Sequence, residues 1–483
     1  MHGGALSAGA AGGPNLWCRL ARGSRSKYLG LSALLAWHYC LWFQPSAFPR
    51  TFLLDDVITF GWLSALGSAS LTAMALGLVL GRRRHLPESP WLGRAAAGTG
   101  AACTAAMTLW GANAGTVGLA LALSGGIGAA GAVLWVAWGE CLARQRARFT
   151  MSRVGTTYGC FLLASLAITG FLPGVAAPCF VAALPLVSGW LLDRHLRTLS
   201  GIPHLVMLPR KLSWQGTRAI VTVALISFAA SFVCYYTVAI VPWAHLGEVG
   251  PAFAWGAALG AAMMLAAAAA KLAPLANYSV FRLFPWLVML TVVACTLFLS
   301  DAVPHVFAFL LALGISSMFE VLLTMYMGGL TLRGYTSAAL AFALAACSIR
   351  AGIALGNGLA LVYERVPGWH EALVAPTFLV MIGGLTGVLI TLVRQEYAID
   401  ALVSDLGRTT DLEAVLAAVA AEFKLSERER EVANLIGRGY TAAAVAETLV
   451  ISQYTVNTHV QHIYGKMGIH KRAELIRYLH RRC

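Results

Sequence analysis

The sequence predicts an all-α protein: a twelve-helix transmembrane bundle made of two six-helix halves, followed by a small four-helix domain. Of the 483 residues, 58% are apolar and 12% are charged, and the mean hydropathy is +0.71, which is far from the averages of soluble domains. Apolar runs of roughly 17 to 25 residues, the length that crosses about 30 Å of hydrocarbon as a helix, recur along 28–393. From residue 425 onward the pattern changes to short amphipathic helices with clear start signals.

The predicted membrane domain covers residues 28–393. Its first half occupies 28–192, a polar loop follows at 193–218, and the second half occupies 219–393. A dozen apolar runs in series with short loops favours membrane spans over the buried helices of a large soluble protein. The predicted spans are 28–44, 57–80, 95–112, 115–139, 154–173, 175–192, 219–242, 249–271, 283–300, 303–328, 336–363 and 372–393.

Basic residues cluster before the first span and after every second span, whereas the opposite loops carry only Arg50 and Arg365. By the positive-inside rule, the N-terminus, the loop at 193–218 and the C-terminus face the cytoplasm. Residues 1–27 contain no hydrophobic core followed by a cleavage site, so we interpret them as a cytoplasmic N-terminal tail. We therefore expect a multi-pass protein of the inner (cytoplasmic) membrane, with the lipid bilayer as one partner.

Ionisable groups deep in predicted spans are the best indications of a ligand site, because each costs about 2.5 to 3.5 kcal/mol to insert unless it finds a partner or water. Two stand out: Glu320 in the tenth span and Arg350 in the eleventh. A structural ion pair and a small-molecule sensing site are equally open interpretations of them. Aromatic and amide residues that could add contacts, although helix packing or an interfacial belt is the simpler explanation of each, are His38, Trp110, Asn113, Tyr235, Tyr236, Trp255, Tyr326 and Asn357.

Metal, disulfide and catalytic chemistry find little support. The ten cysteines are scattered without a C-x-x-C pair, which suggests neither a disulfide framework nor a zinc site. His459 and His462 have the spacing of a metal pair, with Cys483 nearby, but a helical surface explains both. No paired carboxylates, histidine cluster or nucleophile motif stands at catalytic spacing. We expect a protein that is not an enzyme and that has no cofactor and no metal.

Residues 394–424 are interpreted as a linker outside the membrane, since charge alternates there with Ala, Leu and Val. Thr410 and Asp411 are candidate N-caps for a short helix over about 412–423. Its apolar stripe, which we expect to dock or pair, consists of Leu412, Val415, Leu416 and Val419.

Residues 425–483 predict four short helices. Ser426 and Glu429 have the S-x-x-E spacing of a capping box at the start of the first helix, which stops near Gly437. Thr441 is the candidate cap of the second helix, and Ser452 of a third that runs to Gly468. A fourth runs from about Lys471 to Arg481. Apolar stripes within the first three comprise Val432, Leu435 and Ile436, then Val445 and Leu449, then Val456, Val460, Ile463 and Met467.

Only the residues "VIS" separate the second and third of these helices, a spacing that is typical of a helix-turn-helix. At this point the segment resembles the DNA-binding module of LuxR/FixJ-type transcription regulators, over about sixty residues. It departs from that pattern in "TAAAVAE" and at Gly465 inside the third helix. The resemblance rests on Leu425, Arg428, Glu429, Glu431, Val432, Gly439, Ala446, Leu449, Ile451, Ser452, Thr455, Val456, His459, Val460, Ile463, Lys466, Met467, Gly468, Arg472 and Ala473.

The resemblance implies roles for particular residues on double-stranded DNA. The third helix would lie in the major groove, with Asn457, Thr458 and Gln461 facing bases, where Asn and Gln suit adenine and the Thr methyl suits thymine. It also implies a homodimer on promoter half-sites about one helical turn apart. The residues placed to hold phosphates are Tyr454, Thr455, Lys466, Lys471 and Arg472, and those of the fourth-helix dimer edge are Leu475, Ile476 and Leu479.

The membrane domain resembles the major facilitator superfamily in its layout of two six-span halves joined by a long basic loop. The loop "GRRRHLPESPWLGR" keeps Gly81 and basic residues but lacks the Asp of that superfamily's motif, which argues against transport. We therefore expect a membrane-bound one-component transcriptional regulator, in which the membrane domain senses an unknown small molecule and controls DNA binding. The alternative is a secondary transporter of this type with a regulatory DNA-binding tail.

Overall fold

The computed structural model describes sixteen segments of the chain. These are residues 26–48, 55–80, 90–110, 117–145, 147, 149–199, 214–241, 249–272, 280–300, 303–333, 335–403, 409–437, 440, 442–471, 474–475 and 478–479. Their regular structure is helical, without a strand, which confirms the predicted all-α class.

Twelve long helices occupy the described part of the predicted membrane domain. Nine helices among the described residues are long and apolar enough to cross a membrane, and two shorter ones are also apolar. The remaining one, over 90–110, is rich in Ala, Gly and Thr and is less hydrophobic. In chain order they are α1 (Leu29–Phe43), α2 (Asp55–Leu80), α3 (Pro90–Trp110), α4 (Val117–Arg144), α5 (Val154–Phe171), α6 (Ala176–Thr198), α7 (Trp214–Ile240), α8 (Val249–Leu272), α9 (Leu283–Leu299), α10 (His305–Leu332), α11 (Ala338–Arg365) and α12 (Trp369–Val403).

The packing of α1–α6 is repeated in α7–α12. In the first half α2 packs on α4, α3 packs on both α4 and α6, and α1 packs on α5 and α6; the helices six places later in the chain pack in the same five pairs. The contacts between the halves are also equivalent: α2 of the first half packs on α11 of the second, and α8 of the second half packs on α5 of the first. Equivalent contacts in both halves are what a pseudo-two-fold relation between them produces.

The outer surface of the bundle is apolar. Large hydrophobic side chains are exposed on most of the twelve helices, including Leu78, Phe171, Trp255 and Val380. An apolar surface of this extent is unfavourable in water and suits the hydrocarbon of a bilayer. The chain is a multi-pass membrane protein.

The helix α12 is longer than its predicted span. Its apolar part ends near Gln395, but the helix continues to Val403, so the first part of the predicted linker belongs to it. The linker helix α13 (Thr409–Glu422) follows. Thr410 and Asp411 are the second and third residues of this helix, so the prediction that they would precede it as caps is wrong, by two and three residues.

The C-terminal domain contains α14 (Glu427–Gly437), α15 (Ala442–Leu449) and α16 (Gln453–Met467). Of the expected fourth helix, residues 474–475 and 478–479 are described as helical. Leu416 and Val419 of α13 are buried in the same hydrophobic core as the three following helices, so the linker helix docks on the domain. Leu412 has no described side chain, and Thr441 lies outside the described residues.

Candidate functional site

One face of the helix α16 packs in the core of the C-terminal domain, and the opposite face is exposed. Val456, Ile463 and Met467 are buried in the domain core. Ser452 caps the helix as predicted, because its Oγ accepts a hydrogen bond from the Thr455 N–H at 3.0 Å. At the other end Gly468 adopts φ 65°, a left-handed conformation that favours glycine and closes the helix.

The predicted base-contacting residues lie on the exposed face of α16. Asn457, Thr458 and Gln461 are all exposed, and the Thr458 hydroxyl donates to the Tyr454 carbonyl oxygen at 3.1 Å. With about 100° between successive residues of a helix, Gly465 falls on the same face as these side chains. A Cβ added at Gly465 would meet no described atom within 4 Å, so this face is open.

The predicted phosphate-contacting residues have different surroundings. Tyr454 is 82% exposed, and Lys471 is also exposed. Thr455 is partly buried, and its hydroxyl forms a 2.8 Å hydrogen bond with that of Ser452. Arg472 lies outside the described residues. A surface for phosphates therefore remains a prediction that Tyr454 and Lys471 fit best.

Lys466 has partners inside the domain. Its Nζ donates to Glu429 Oε2 at 2.6 Å and to the Lys424 carbonyl oxygen at 3.1 Å. The same Glu429 oxygen accepts a 2.7 Å hydrogen bond from the Ser426 N–H, while Ser426 Oγ accepts one from the Glu429 N–H at 3.2 Å. The predicted capping box is thus formed, and Lys466 joins the end of α16 to the start of α14.

Glu429 is nearly buried, with 4% of its surface exposed. Burial by itself raises the pKa of this carboxyl, but the hydrogen bonds from Lys466 and Ser426 outweigh it and hold the pKa below its ordinary value. Glu429 is therefore ionised at neutral pH, and its charge is compensated within the domain.

The residues of the predicted dimer edge are buried. Leu475 and Leu479 are each 0% exposed and belong to the core of their own domain. Ile476 lies outside the described residues. Dimerisation stays a prediction. It would have to use surface other than Leu475 and Leu479, because these two side chains already pack inside their own domain, as an apolar edge of a short helix can.

A small cavity lies between the two halves of the membrane domain. Its volume is about 40 Å³. The first half contributes residues of α1, α2 and α4, and the second half contributes residues of α7, α10 and α11. The residues that line it are Leu35, His38, Tyr39, Trp42, Phe43, Trp62, Ala65, Leu66, Ala69, Gly128, Tyr235, Glu320, Arg350 and Ile353.

Glu320 and Arg350, singled out from the sequence, meet at this cavity. Arg350 Nη2 lies 3.6 Å from Glu320 Oε1, and both side chains are at least nine-tenths buried. The Tyr39 hydroxyl donates to Glu320 Oε2 at 3.2 Å, and the Arg350 guanidinium lies over the Trp135 ring at 5.0 Å. Tyr39 and Trp135 belong to the first half, so these contacts join the two halves.

Several polar atoms of the cavity residues lack a hydrogen-bond partner within the described parts of the chain. They are Arg350 Nη1, His38 Nε2 and Trp42 Nε1. Buried donors and acceptors normally have partners, so these atoms favour water or a polar ligand in the cavity. The sequence did not single out Tyr39, Trp42, Trp62 or Trp135, because nothing local distinguishes them from other aromatic residues of the spans.

The other aromatic and amide candidates are more dispersed. His38 and Tyr235 line the cavity, whereas Trp255 is 68% exposed on the outer surface and Asn357 Nδ2 donates to the Ile353 carbonyl oxygen of its own helix. Tyr236 and Tyr326 are buried elsewhere. Asn113 lies outside the described residues, and no side chain is described for Trp110. The described residues include no group of three or more His, Cys, Asp or Glu side chains that could hold a metal.

Comparison with known families supports the predicted DNA-binding module at residues 425–483. Residues 424–479 match the family of bacterial regulatory proteins of the luxR type. Among curated proteins, 52 residues are 46% identical to a probable transcriptional regulatory protein NarL of Mycobacterium tuberculosis, and 54 residues are 43% identical to the oxygen regulatory protein NreC of Staphylococcus aureus. The first match covers 11% of this chain and 24% of the relative, and the second covers 11% and 25%. The chain thus spans about a quarter of these relatives.

Similar solved structures are membrane transporters. A bacterial homologue of the iron transporter ferroportin, in an outward-facing state, aligns at 14% identity with a TM-score of 0.48, over 78% of this chain and 99% of that one. A mutant of the nucleoside transporter NupG aligns at 13% identity with a TM-score of 0.41, over 79% of this chain and 100% of that one. At this similarity neither structure indicates what this chain binds.

The fold and the sites define a class of protein: a multi-pass membrane bundle of two similar halves that carries a helix-turn-helix domain at its C-terminal end. That domain, over residues 424–479, is a luxR-family regulatory domain, as its sequence predicted.

Proposed function

We propose that the chain is a membrane-bound one-component transcriptional regulator whose C-terminal domain reads DNA and whose membrane domain senses a small molecule. The observation that carries this proposal is the open face of α16 in a luxR-family domain that is joined to a membrane helix through the linker helix α13. Recognition helices of this class place such a face in the major groove.

Reading of bases is assigned to Asn457, Thr458 and Gln461. Two amide side chains four residues apart lie on one exposed face, and each can form paired hydrogen bonds with adenine. We assign phosphate contacts to Tyr454, Thr455, Lys471 and Arg472, which set affinity and register but carry no sequence information. Binding to two half-sites by a homodimer is part of the proposal.

Sensing is assigned to the cavity between the halves. At about 40 Å³ it has room for little more than one or two water molecules, so a larger ligand requires the halves to separate. Such a ligand would bind one arrangement of the halves better than the other, which is the condition for a conformational response. Glu320 and Arg350 join the halves through Tyr39 and Trp135, so a change in the halves changes their contacts.

The connection to the DNA-binding domain is short. Between the end of α12 at Val403 and the start of α13 at Thr409 lie five residues, which reach at most about 18 Å when extended. Because α13 packs into the core of the DNA-binding domain, only these five residues separate that core's helices from α12, and a displacement of α12 has a short way to travel along the chain. Allosteric coupling typically amounts to about 1 to 3 kcal/mol, a five- to hundred-fold change in promoter occupancy.

The proposal is tested by chromatin immunoprecipitation and sequencing of the full-length tagged protein, beside a variant with Asn457→Ala and Gln461→Ala. The matched control carries Glu427→Ala and Arg430→Ala, which removes an exposed ion pair of α14 and also leaves the net charge unchanged. We expect discrete peaks for the wild type and the control, and their loss in the Asn457 and Gln461 variant. Unchanged peaks in that variant would contradict the base-contact assignment.

Secondary transport is the second candidate, favoured by a cavity that both halves line at the centre of the bundle. An uptake assay in cells or proteoliposomes separates the two functions, because a sensor binds its ligand without net uptake. Accumulation of a candidate substrate that disappears with Glu320→Gln, together with an absence of DNA peaks, would favour the transporter.

A further inference from the structure

A second cavity lies at one end of the bundle, between α3 and α6. Its volume is about 490 Å³, within the range of roughly 300 to 1,000 Å³ that is typical of small-molecule sites. Its lining differs from that of the Glu320–Arg350 cavity, because three of its eight residues are arginines. The lining residues are Arg94, Ala97, Leu186, Gly189, Trp190, Asp193, Arg194 and Arg197.

The rim of this cavity carries a net positive charge. Arg94 donates to both oxygens of Asp193 at 3.1 Å, and Arg197 Nη2 lies 2.8 Å from Asp193 Oδ2. One carboxylate thus orders two guanidinium groups, while Arg194 lies beside the Trp190 ring at 5.8 Å. Among the described residues that line the cavity, three arginines and one aspartate sum to +2. The side chains of Arg94 and Arg197 are 47% and 70% exposed. Preordered guanidinium groups with exposed N–H donors suit the oxygens of a phosphate.

Below the charged rim the cavity walls become apolar and narrow. Gly189 lets α6 approach α3 closely, because a Cβ at this position would lie 2.4 Å from the Ala97 Cβ. Leu186 and Trp190 remain 49% and 61% exposed beside this close contact. Trp91, 74% exposed near the start of α3, adds an aromatic side chain of the kind that marks the membrane–water interface.

We propose that this cavity binds the headgroup of an anionic phospholipid, with the phosphate held by Arg94, Arg194 and Arg197 and the acyl chains lying along Leu186 and Trp190. A soluble phosphate would use the arginines, but it would not use the exposed apolar wall directly beneath them. The arginine distribution predicts that this end of the bundle faces the cytoplasm, where basic pockets between membrane helices meet anionic lipids. The proposal is independent of DNA reading and of the central cavity.

The test uses full-length protein, purified in detergent, and native mass spectrometry of bound lipid. The probes are phosphatidylglycerol and phosphatidylcholine with the same acyl chains, and inorganic phosphate at the same concentration. We expect selective retention of phosphatidylglycerol by the wild type. A variant with Arg194→Gln and Arg197→Gln leaves the Arg94–Asp193 pair in place, and its retention should fall about twenty-five-fold, since each basic side chain near an anionic headgroup contributes about fivefold.

The matched control carries Arg428→Gln and Arg430→Gln, which removes two exposed positive charges from α14 and should leave retention unchanged. The single variant Arg194→Gln, which leaves both Asp193 ion pairs intact, should lose about fivefold and covers a failure of the double variant to fold. Equal retention of phosphatidylglycerol by wild type and variants would overturn the proposal. Displacement of the lipid by inorganic phosphate at equal concentration would also overturn it, in favour of a soluble anion.

Discussion

Replacing Lys466 with Ala distinguishes a structural lysine from a phosphate-binding one. In the structure its Nζ is held by Glu429 at 2.6 Å and by the Lys424 carbonyl oxygen at 3.1 Å, while its side chain is 38% exposed. A hydrogen bond to a charged group contributes about 1.5 to 3 kcal/mol, and solvent screening at this exposure reduces that. We therefore expect Lys466→Ala to destabilise the DNA-binding domain by about 1 to 2 kcal/mol.

Two measurements on full-length protein in nanodiscs decide the matter. Hydrogen exchange of α14 and α16 amides should become about five- to thirtyfold faster in Lys466→Ala, as that free energy implies. The salt dependence of binding to a promoter fragment should keep its wild-type slope. Lys471→Ala is the matched control, because this exposed lysine is assigned to phosphate and its loss should reduce the slope by about 0.9 without changing exchange. A reduced slope with normal exchange in Lys466→Ala would refute the structural role.

Three further predictions concern single features of the two domains. Gly465→Ala should slow the hydrogen exchange of α16 amides by up to about fivefold, since glycine inside a helix costs about 1 kcal/mol relative to Ala. The added Cβ meets no described atom within 4 Å. Faster hydrogen exchange in this variant would contradict the prediction. Because the folded-state pKa of Glu429 is lowered, its stabilisation should be complete above its unfolded pKa of about 4.3 and disappear as the pH falls through the lower folded value. Amide hydrogen exchange, corrected for intrinsic rates, should be measured in wild type and Glu429→Gln between roughly pH 3 and roughly pH 7. The rates of the two proteins should converge at the acidic end of this range. Either Glu320→Gln or Arg350→Gln should lower the melting temperature of the solubilised protein, because removing one partner of a buried ion pair costs about 3 to 5 kcal/mol. Exchanging the two residues, by Glu320→Arg together with Arg350→Glu, should recover part of the loss. An exchanged variant that is less stable than both single variants would count against an ion pair.

The sequence predicted most of what depends on neighbouring residues. The apolar runs located the membrane helices, and the spacing of Ser426 and Glu429 located a capping box that the structure contains. Hydropathy located the end of the last span but not the end of its helix. Arg394 and the residues after it stop the apolar run, yet they favour helix well enough for α12 to continue to Val403.

The contacts between distant residues were less accessible. The insertion cost of a charge singled out Glu320 and Arg350, but Tyr39 and Trp135 join them only through the packing of α1 and α4 against the second half. Likewise, an amphipathic pattern shows that Leu475 and Leu479 need an apolar partner, without showing whether that partner is a second chain or their own domain. The structure supplies the second answer for both.

If the membrane domain senses a ligand as proposed, these contacts give one ion pair a part in both stability and sensing. With a guanidinium stacked on Trp135 and a carboxylate bonded to Tyr39, the Glu320–Arg350 pair stabilises the arrangement in which the halves are closed around a cavity of about 40 Å³. A ligand that replaces these contacts with its own polar groups compensates for their loss in the separated arrangement, whereas a ligand that fails to do so leaves the closed state favoured. In the proposed sensor, the pair would set a threshold of about 3 to 5 kcal/mol that the ligand's binding free energy has to exceed. Selectivity for a polar ligand follows from that requirement, since an apolar molecule of the same size would leave both buried charges without partners.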